Sequence, residues 1–272
     1  MATLAGPAGR FLALHDRSRP LLQPNAWDVG SARLLVALGF EAIATTSSGF
    51  AATLGRPDGS VTRDEALAHA AQVAAAVDVP VAADTENGFA DDPAGVAETV
   101  LMASVSGLAG CSIEDFTGRP DDAIYDIGLA RERVAAAADA AHRGPAQLVL
   151  TARAENHIHG RHDLVDTVAR LQAYQEAGAD VLFAPGLRTL DDIRVVVSSV
   201  DRPVNVLVVP GCPAVADLAS VGVARISVGG AFAYVALAGM IDAATELRNK
   251  GTYGFLERVA GARPTIRDAL KA

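Results

Sequence analysis

Short apolar runs alternate along the whole chain with longer Ala- and Leu-rich amphipathic stretches. The runs near Leu21–Asn25, Ala42–Thr46, Val79–Ala83, Gly110–Ile113, Leu148–Ala152, Val181–Ala184, Val204–Val208 and Ala224–Val228 read as buried strands. Between them, Ser31–Leu38, Arg63–Val77, Pro93–Ser106, Ile127–Arg143, Leu164–Ala177, Leu190–Val197 and Ala214–Val221 carry the helical period. Alternation of this kind predicts parallel strands covered by helices. Eight such strands closing on themselves give an α/β fold, a (β/α)8 TIM barrel. An open doubly wound sheet is the alternative, but it wants a glycine-rich phosphate loop after the first strand. Asn25-Ala-Trp-Asp28 stands there instead.

Several connections repeat one phrase, a glycine stop followed by entry into a strand: Leu38-Gly39-Phe40, Gly178-Ala179-Asp180 and Val221-Gly222-Val223. Such glycines end helices in a left-handed turn. No second domain is evident, so residues 1–272 are expected to form one barrel with residues 251–272 as a C-terminal extension. Helix continues over Ala236–Lys250, Gly251-Thr-Tyr-Gly254 breaks it, and Phe255–Ala272 forms a separate helical tail. An amphipathic tail after a finished barrel packs on a partner subunit or on its own barrel; the pattern alone fits both.

The totals agree with one large domain. Half of the 272 residues are hydrophobic and only 5% are aromatic, which suits a barrel filled by small and branched side chains. The net charge is -9, and no basic block is present, which argues against nucleic-acid binding. Two distant cysteines, Cys111 and Cys212, make neither a disulfide framework nor a zinc spacing. Met1–Arg10 lacks a charged-then-apolar signal pattern, and no apolar stretch reaches the ~20 residues of a membrane span. A cytoplasmic enzyme is the expectation.

Three acids stand at strand ends. Asp84 and Glu86 follow the run at Val79–Ala83, and Glu114 closes Gly110-Cys-Ser-Ile-Glu114. Barrels of this kind keep their chemistry at the C-terminal ends of the strands. Asp84 and Glu86 are two apart, so on a strict strand they face the same way. Converging carboxylates repel and raise one another's pKa, and a hard divalent cation relieves this. Oxygen-only ligands favour Mg²⁺, or Mn²⁺, over zinc. Solvated loop acids are the bland alternative. Asp115 should point the other way, as a cap or ion-pair partner.

Other strand ends add recognition chemistry. Arg153 offers a planar fork for a carboxylate or phosphate, or an ion pair that positions Glu114 or Glu155. Thr45-Thr-Ser-Ser-Gly-Phe50 presents hydroxyls and backbone N–H groups to a carboxylate or oxyanion, with Ser48 as a further donor. Asp58, in a turn, is a further acid near the metal or an ordinary turn residue. His157, His159 and His162 read as polar surface more readily than as a zinc site. Ser227-Val-Gly-Gly230 fits a phosphate cradle or a close-packing turn, the second being preferred.

These motifs in combination resemble the isocitrate lyase/phosphoenolpyruvate mutase superfamily. The likeness runs from Pro24-Asn-Ala-Trp-Asp28 to Gly222-Val-Ala-Arg-Ile-Ser-Val-Gly229. It includes Ser48-Gly49, Leu54-Gly55 with Asp58, Asp84-x-Glu86-x-Gly88-Phe89, Ile113-Glu114-Asp115, Ala152-Arg153-x-Glu155 and Pro203-Val-Asn205-Val206. The resemblance implies a barrel that assembles as a homo-oligomer, dimer or tetramer, with the terminal helix exchanged between neighbours. It implies Mg²⁺ near Asp84, Glu86 and Glu114, mostly through waters, with Asp58 nearby. It also implies a small α-keto or 2-hydroxy carboxylate whose carboxylate meets Ser48, the backbone of Gly49 and Phe50, and Arg153. Phe50, Phe89, Phe116 and Asn205 would shape the pocket. Bond cleavage next to a keto acid leaves an enolate, which a divalent cation and a guanidinium stabilise.

One stretch departs from the pattern. The lyase branch carries a gate with a catalytic cysteine after the fourth strand, whereas Phe116-Thr-Gly-Arg-Pro-Asp-Asp-Ala-Ile-Tyr-Asp126 has neither Cys nor His. Cys111 lies inside the strand, and Arg119 is the gate's only cation. Decarboxylation of oxaloacetate, which asks less of a gate acid, fits best, with Tyr125 as a candidate proton donor. Retro-aldol cleavage of a 2-hydroxy acid is the nearest rival. A phosphonate mutase or hydrolase, a non-catalytic keto-acid binder and a metal-free phosphate barrel are the further alternatives.

Overall fold

The structure, a computed structural model, describes Leu4 and residues 6–271. Ala272, the last residue of the expected tail, and positions 1–3 and 5 of the N-terminal segment lie outside the described residues. Among the described residues nine strands run parallel in one sheet: β1 (Leu21–Gln23), β2 (Asn25–Ala26), β3 (Ile43–Thr45), β4 (Val81–Asp84), β5 (Gly110–Glu114), β6 (Val149–Arg153), β7 (Val181–Phe183), β8 (Val204–Leu207) and β9 (Arg225–Ser227). Their order is β1-β9-β8-β7-β6-β5-β4-β3-β2. The expected first strand is thus present but split at Pro24, which has no N–H to give to a ladder. β1 pairs with β9 and β2 with β3, so the two halves bring the sheet round into a nearly closed barrel. Asn25 bridges the split: its amide donates to the Thr45 carbonyl (2.8 Å), and its Oδ1 accepts from the Val228 and Gly229 N–H groups (3.2 and 2.9 Å).

The surrounding helices begin where their caps stand. Asp28 with Ser31 and Thr62 with Glu65 make reciprocal capping boxes on Val29–Ala37 and Arg63–Ala75. Asp92, Asp163 and Thr189 cap the helices at Pro93–Ser104, Leu164–Glu176 and Leu190–Ser198. Two helices were not in the periodicity. Ser47–Thr53 forms a single short helix after β3, where hydroxyl-rich loop was expected. Gly6–Ala13 lies across the N-terminal ends of the strands, and its Ala8 and Phe11 are buried against Leu21, Ala42, Ala109, Val149 and Val181. Phe11 presses so closely on β5 that a side chain at Gly110 would meet its ring at 3.0 Å and the Val149 carbonyl at 2.7 Å.

His15 follows this plug. Its Nδ1 hydrogen-bonds the Phe11 carbonyl (3.0 Å), which requires an N–H there and leaves Nε2 to accept from Arg225 Nη1 (3.2 Å). Burial first, and then the Arg225 charge, push its pKa down from 6.5 to about 3. The folded state holds the ring neutral, so its contribution is complete above pH 6.5 and is lost as the pH falls towards 3. Acidification from pH 7 to 5 should therefore withdraw about 2 kcal/mol of stability through this group. Histidine NMR checks it: the His15 ring should still be neutral at pH 5, and a His15→Gln variant should lose less stability over that interval.

The last two helices, Ala231–Lys250 and Phe255–Ala269, leave much apolar surface. The terminal helix packs on Val29–Ala37 of its own chain, where Leu34, Leu38, Phe232, Val235, Ile266 and Leu270 line a groove. Tyr234, Val235, Met240, Ile241, Leu247 and Leu256 remain exposed. No helix among the described residues is long and apolar enough to cross a membrane.

Candidate active site

The C-terminal strand ends and the inward positions beneath them enclose a cavity of about 180 Å³. Ser48, Asp58, Asp84, Arg153 and Asn205 all line it. Arg153, at the end of β6, is its organising group. Its Nη1 reaches Asp84 Oδ1 (3.2 Å), its Nη2 Glu114 Oε2 (3.1 Å) and its Nε Glu155 Oε1 (2.7 Å). Three carboxylates from three strand ends are thus held on one guanidinium. A guanidinium has five N–H donors, so about two remain for a ligand. The acids therefore share a basic partner, which offsets part of the mutual repulsion that argued for a cation; the geometry accommodates both readings of Arg153, fork and positioning ion pair.

Asp84 is fixed from several sides. Its backbone N–H donates to Thr45 Oγ1 (2.9 Å), and its carboxylate accepts from the Ser47 and Glu86 N–H groups (both 3.3 Å). Glu86 is placed differently from expectation. The strand ends at Asp84, and the following turn is left-handed at Glu86 (φ 46°), Gly88 (75°) and Phe89 (55°). Non-glycine residues there store on the order of 1–3 kcal/mol of strain each, a feature concentrated at functional sites. Glu86 therefore does not simply share the Asp84 face; it lines a small adjoining recess with Phe50, His69 and Asp84. Burial, then the charges of Asp84 and Asp58, push its carboxyl up to about 7. The Glu114 side chain, 11% exposed, lies behind Arg153, and burial raises its carboxyl well above the usual range although Arg153 opposes this.

Could this set hold a cation? Among the described residues no three His, Cys, Asp or Glu side chains converge closely enough to grip one by themselves. Direct coordination by Asp84, Glu86 and Glu114 together is therefore not what the geometry offers. The acids Asp58, Asp84, Glu86, Glu114 and Glu155 nonetheless outnumber the two guanidinium groups at the cavity, Arg153 and Arg225, and every nearby anionic donor is oxygen. That fits a hard divalent cation taken through one or two carboxylates with the remaining positions filled by water, the usual habit of Mg²⁺.

Several expected contacts fall elsewhere. The Gly49 and Phe50 N–H groups are not free for a carboxylate: Gly49 donates to Thr46 Oγ1 (3.4 Å) and Phe50 to the Thr46 carbonyl (3.0 Å), because the segment is helical. Gly49 is small for packing, since a Cβ would meet Thr46 Cγ2 at 2.6 Å and Trp27 Cβ at 2.9 Å. The Phe50 ring stacks on His69 at 3.9 Å. The hydroxyl of Tyr125 donates to Asp91, with Arg133 over its ring at 4.0 Å, and Tyr125 is not among the residues lining the cavity. Its proton is engaged outside the site, which removes it as the candidate donor. The Val228 and Gly229 N–H groups are taken by Asn25, so the Ser227–Gly230 turn is a packing device, and a Cβ on Gly230 would meet Ser48 Oγ at 2.4 Å. His159 stacks on Phe116 at 3.8 Å and His157 meets His162 edge-on at 5.6 Å, with no shared metal position. The Cys111 thiol is buried and pushed up to about 12, so it stays protonated and inert.

The expected gate folds on itself. Phe116 bridges to Ile124, and Arg119 pairs with Asp91 (3.1 Å). Behind the site, Asp115 is the ion-pair partner that its sequence position implied. It accepts from Arg170 Nη1 (3.0 Å), Tyr174 Oη (2.5 Å) and the Glu155 N–H (2.7 Å). Through that last bond it holds the segment that carries Glu155, and with it Arg153. Asp115→Ala leaves Arg170 with only Asp166 as an acid partner and should cost about 3–5 kcal/mol, the usual effect of breaking a buried pair from one side. Urea unfolding at pH 7 checks it.

The sequence reading missed a lower ring of polar side chains: Gln23, Thr151 and Arg225 also line the cavity. The signal was available, because Thr151 stands two before Arg153 and Arg225 two before Ser227 on otherwise apolar strands.

The family model for phosphoenolpyruvate phosphomutase matches residues 11–248. The chain belongs to this family. As a phosphomutase-family protein it is 32% identical to the 2-methylisocitrate lyase of Salmonella typhimurium, over 71% of this chain and 66% of that one. The oxaloacetate decarboxylase of Paraburkholderia xenovorans is 30% identical over 75% and 68% of the two chains. Among solved structures, a Burkholderia cenocepacia J2315 protein provisionally assigned as a lyase/mutase superposes with a TM-score of 0.92 at 49% identity, over 96% of this chain and 95% of that one. The superfamily resemblance drawn from the motifs is borne out, and the family and these named relatives are lyases and mutases.

Proposed function

We propose that the protein is a Mg²⁺-dependent carbon–carbon lyase acting on a small α-keto or 2-hydroxy carboxylic acid, with oxaloacetate decarboxylation as the first reading. The observation that carries it is Arg153, pinned by Asp84, Glu114 and Glu155 yet facing the cavity with N–H groups to spare. A planar guanidinium fixed on three sides is preorganised to receive a substrate carboxylate and the negative charge that cleavage develops beside it. Asp84, Glu86 and Glu114 would hold the cation largely through water, and the cation would supply Lewis-acid stabilisation of that charge. Ser48 Oγ, 3.2 Å from Thr46 Oγ1, adds a hydroxyl at the cavity wall. The amide of Asn205 faces the opposite side, tied to Ser227 Oγ at 2.9 Å. The folded gate offers no Cys or His to the cavity, which favours a reaction whose product is protonated by solvent.

The direct test follows pyruvate release from oxaloacetate, with methylisocitrate, isocitrate and phosphonopyruvate in parallel, each with Mg²⁺ and with EDTA. Metal-dependent turnover of oxaloacetate above the metal-only rate supports the reading; turnover of phosphonopyruvate alone replaces it with the phosphonate branch. Binding of keto acids without any turnover replaces it with a non-catalytic binder. The exposed apolar face of Ala231–Lys250 supports a homo-oligomer, in which the terminal helix, here on Val29–Ala37 of its own chain, would exchange onto the same groove of a neighbour. Sedimentation should give two or four chain masses, and a single chain mass would reject it.

A further inference from the structure

The cavity continues below the cup just described. Ala82, Thr151 and Arg225 line it two residues before Asp84, Arg153 and Ser227 on their strands, and Gln23 ends β1 two residues before Asn25. Positions two apart share a strand face and lie about 6–7 Å apart along it. They form a second layer, nearer the Phe11 plug. Bulky branched side chains ordinarily fill such a layer in a barrel. Here Ala44 and Ala82 leave room opposite a charged group.

That group is Arg225, 4% exposed. Its Nη2 donates to Thr151 Oγ1 (3.2 Å) and its Nη1 to His15 Nε2 (3.2 Å), both neutral partners. Its Nε has no partner at all. Among the described residues no carboxylate pairs with it, whereas Arg153 has three. Nor does the neighbourhood compensate: the charge that bears on Arg225 is Arg153, of the same sign, and it joins burial in lowering the guanidinium to about 9. Directly beside Arg225 in register stands Asn205, whose Oδ1 is likewise buried and unpartnered. A buried cation without a counter-charge is costly to keep. It is retained most readily where an anion enters to meet it.

We infer that Arg225, with Thr151 and Gln23 beside it, forms a carboxylate subsite at the floor of the cavity, one layer beneath Arg153. The ligand is a carboxylate group, either the distal acid of a short dicarboxylate whose other end lies on Arg153, or a free small carboxylate. The first source rests on the keto-acid reading above; the second does not.

Paired ligands that differ only in a distal carboxylate separate the cases. Isothermal titration with Mg²⁺ present compares malate with lactate on the wild type, Arg225→Met and Arg225→Lys, and thermal melts add formate. If the distal acid is the ligand, malate binds the wild type at least tenfold tighter than lactate. Arg225→Met then brings that ratio near one without changing lactate affinity, and Arg225→Lys retains part of it. If the source is a free anion, formate raises the wild-type melting temperature and not that of Arg225→Met, while malate and lactate bind alike. Should malate and lactate both fail to bind the wild type while the formate effect depends on Arg225, the keto-acid reading fails and the floor subsite stands. An unchanged malate-to-lactate ratio, together with formate acting equally on both proteins, overturns the subsite. Should Arg225→Met not fold, the wild type and Arg225→Lys decide: no malate preference and no formate effect in either rejects it.

Discussion

If the proposed lyase reading holds, Arg153→Lys is expected to lower kcat/KM for the keto-acid substrate by about 10²–10³-fold, the range for loss of one preorganised charge-stabilising group. The substitution keeps the positive charge, so electrostatics in the crude sense predict little change. Geometry predicts otherwise. Arg153 spans Asp84 at 3.2 Å, Glu114 at 3.1 Å and Glu155 at 2.7 Å from three different nitrogens of one plane. An ammonium has three donors at a single point and cannot reach all three acids while still offering a fork to the ligand. It must abandon either the carboxylates or the substrate. Phe183, whose ring lies 5.2 Å from the Arg153 guanidinium, also loses its cation–π partner. The loss should appear in kcat as well as KM, because the same fork faces ground-state carboxylate and developing charge. Steady-state kinetics with circular dichroism as a fold control checks it. Equal kcat/KM in the two proteins would reduce Arg153 to an internal clamp.

The contrast between what the chain displayed and what it concealed has a physical basis. Asp84, Glu114 and Arg153 were legible because a charged residue at the end of an apolar run has one obvious place in a parallel barrel, its C-terminal mouth. The register confirms it, with Glu114 opposite Arg153 across β5 and β6. The eight-strand pattern was legible for the same reason, and only the division at Pro24 changed its count. Gly49 and Phe50 misled because a backbone N–H is available or not according to local conformation, and one short helix at Ser47–Thr53 satisfied both from Thr46. Tyr125 misled because its partner, Asp91, is remote in sequence and joined to it only by the fold. Glu86 was assigned to a strand face, but the strand stops two residues earlier and the left-handed turn rotates it into the neighbouring recess. Arg225 was overlooked inside a strand that otherwise reads as buried; period-two counting from Ser227 would have turned it inward.

Asp84→Ala is expected to abolish metal-dependent binding of keto acids while the barrel survives, and the reason lies in what each Asp84 contact does. Its carboxylate accepts two backbone N–H groups, from Ser47 and Glu86, and one Arg153 nitrogen. Losing the two backbone bonds should cost about 1–3 kcal/mol. Arg153 remains neutralised by Glu114 and Glu155, so no charge is stranded. A cation held at this site would, by contrast, lose the carboxylate that lines the main cavity and the Glu86 recess alike. Asp84→Asn sharpens the test, because it preserves shape and one acceptor oxygen while removing the charge. Both variants should still fold, melting no more than about 12 °C below the wild type, yet neither should bind Mn²⁺, read by electron paramagnetic resonance without recourse to activity. If Asp84→Asn binds Mn²⁺ as the wild type does, the cation is held elsewhere and the acids serve Arg153 alone. If Mn²⁺ binding is lost while pyruvate still binds, Arg153 recognises the ligand unaided, and the metal contributes only to cleavage.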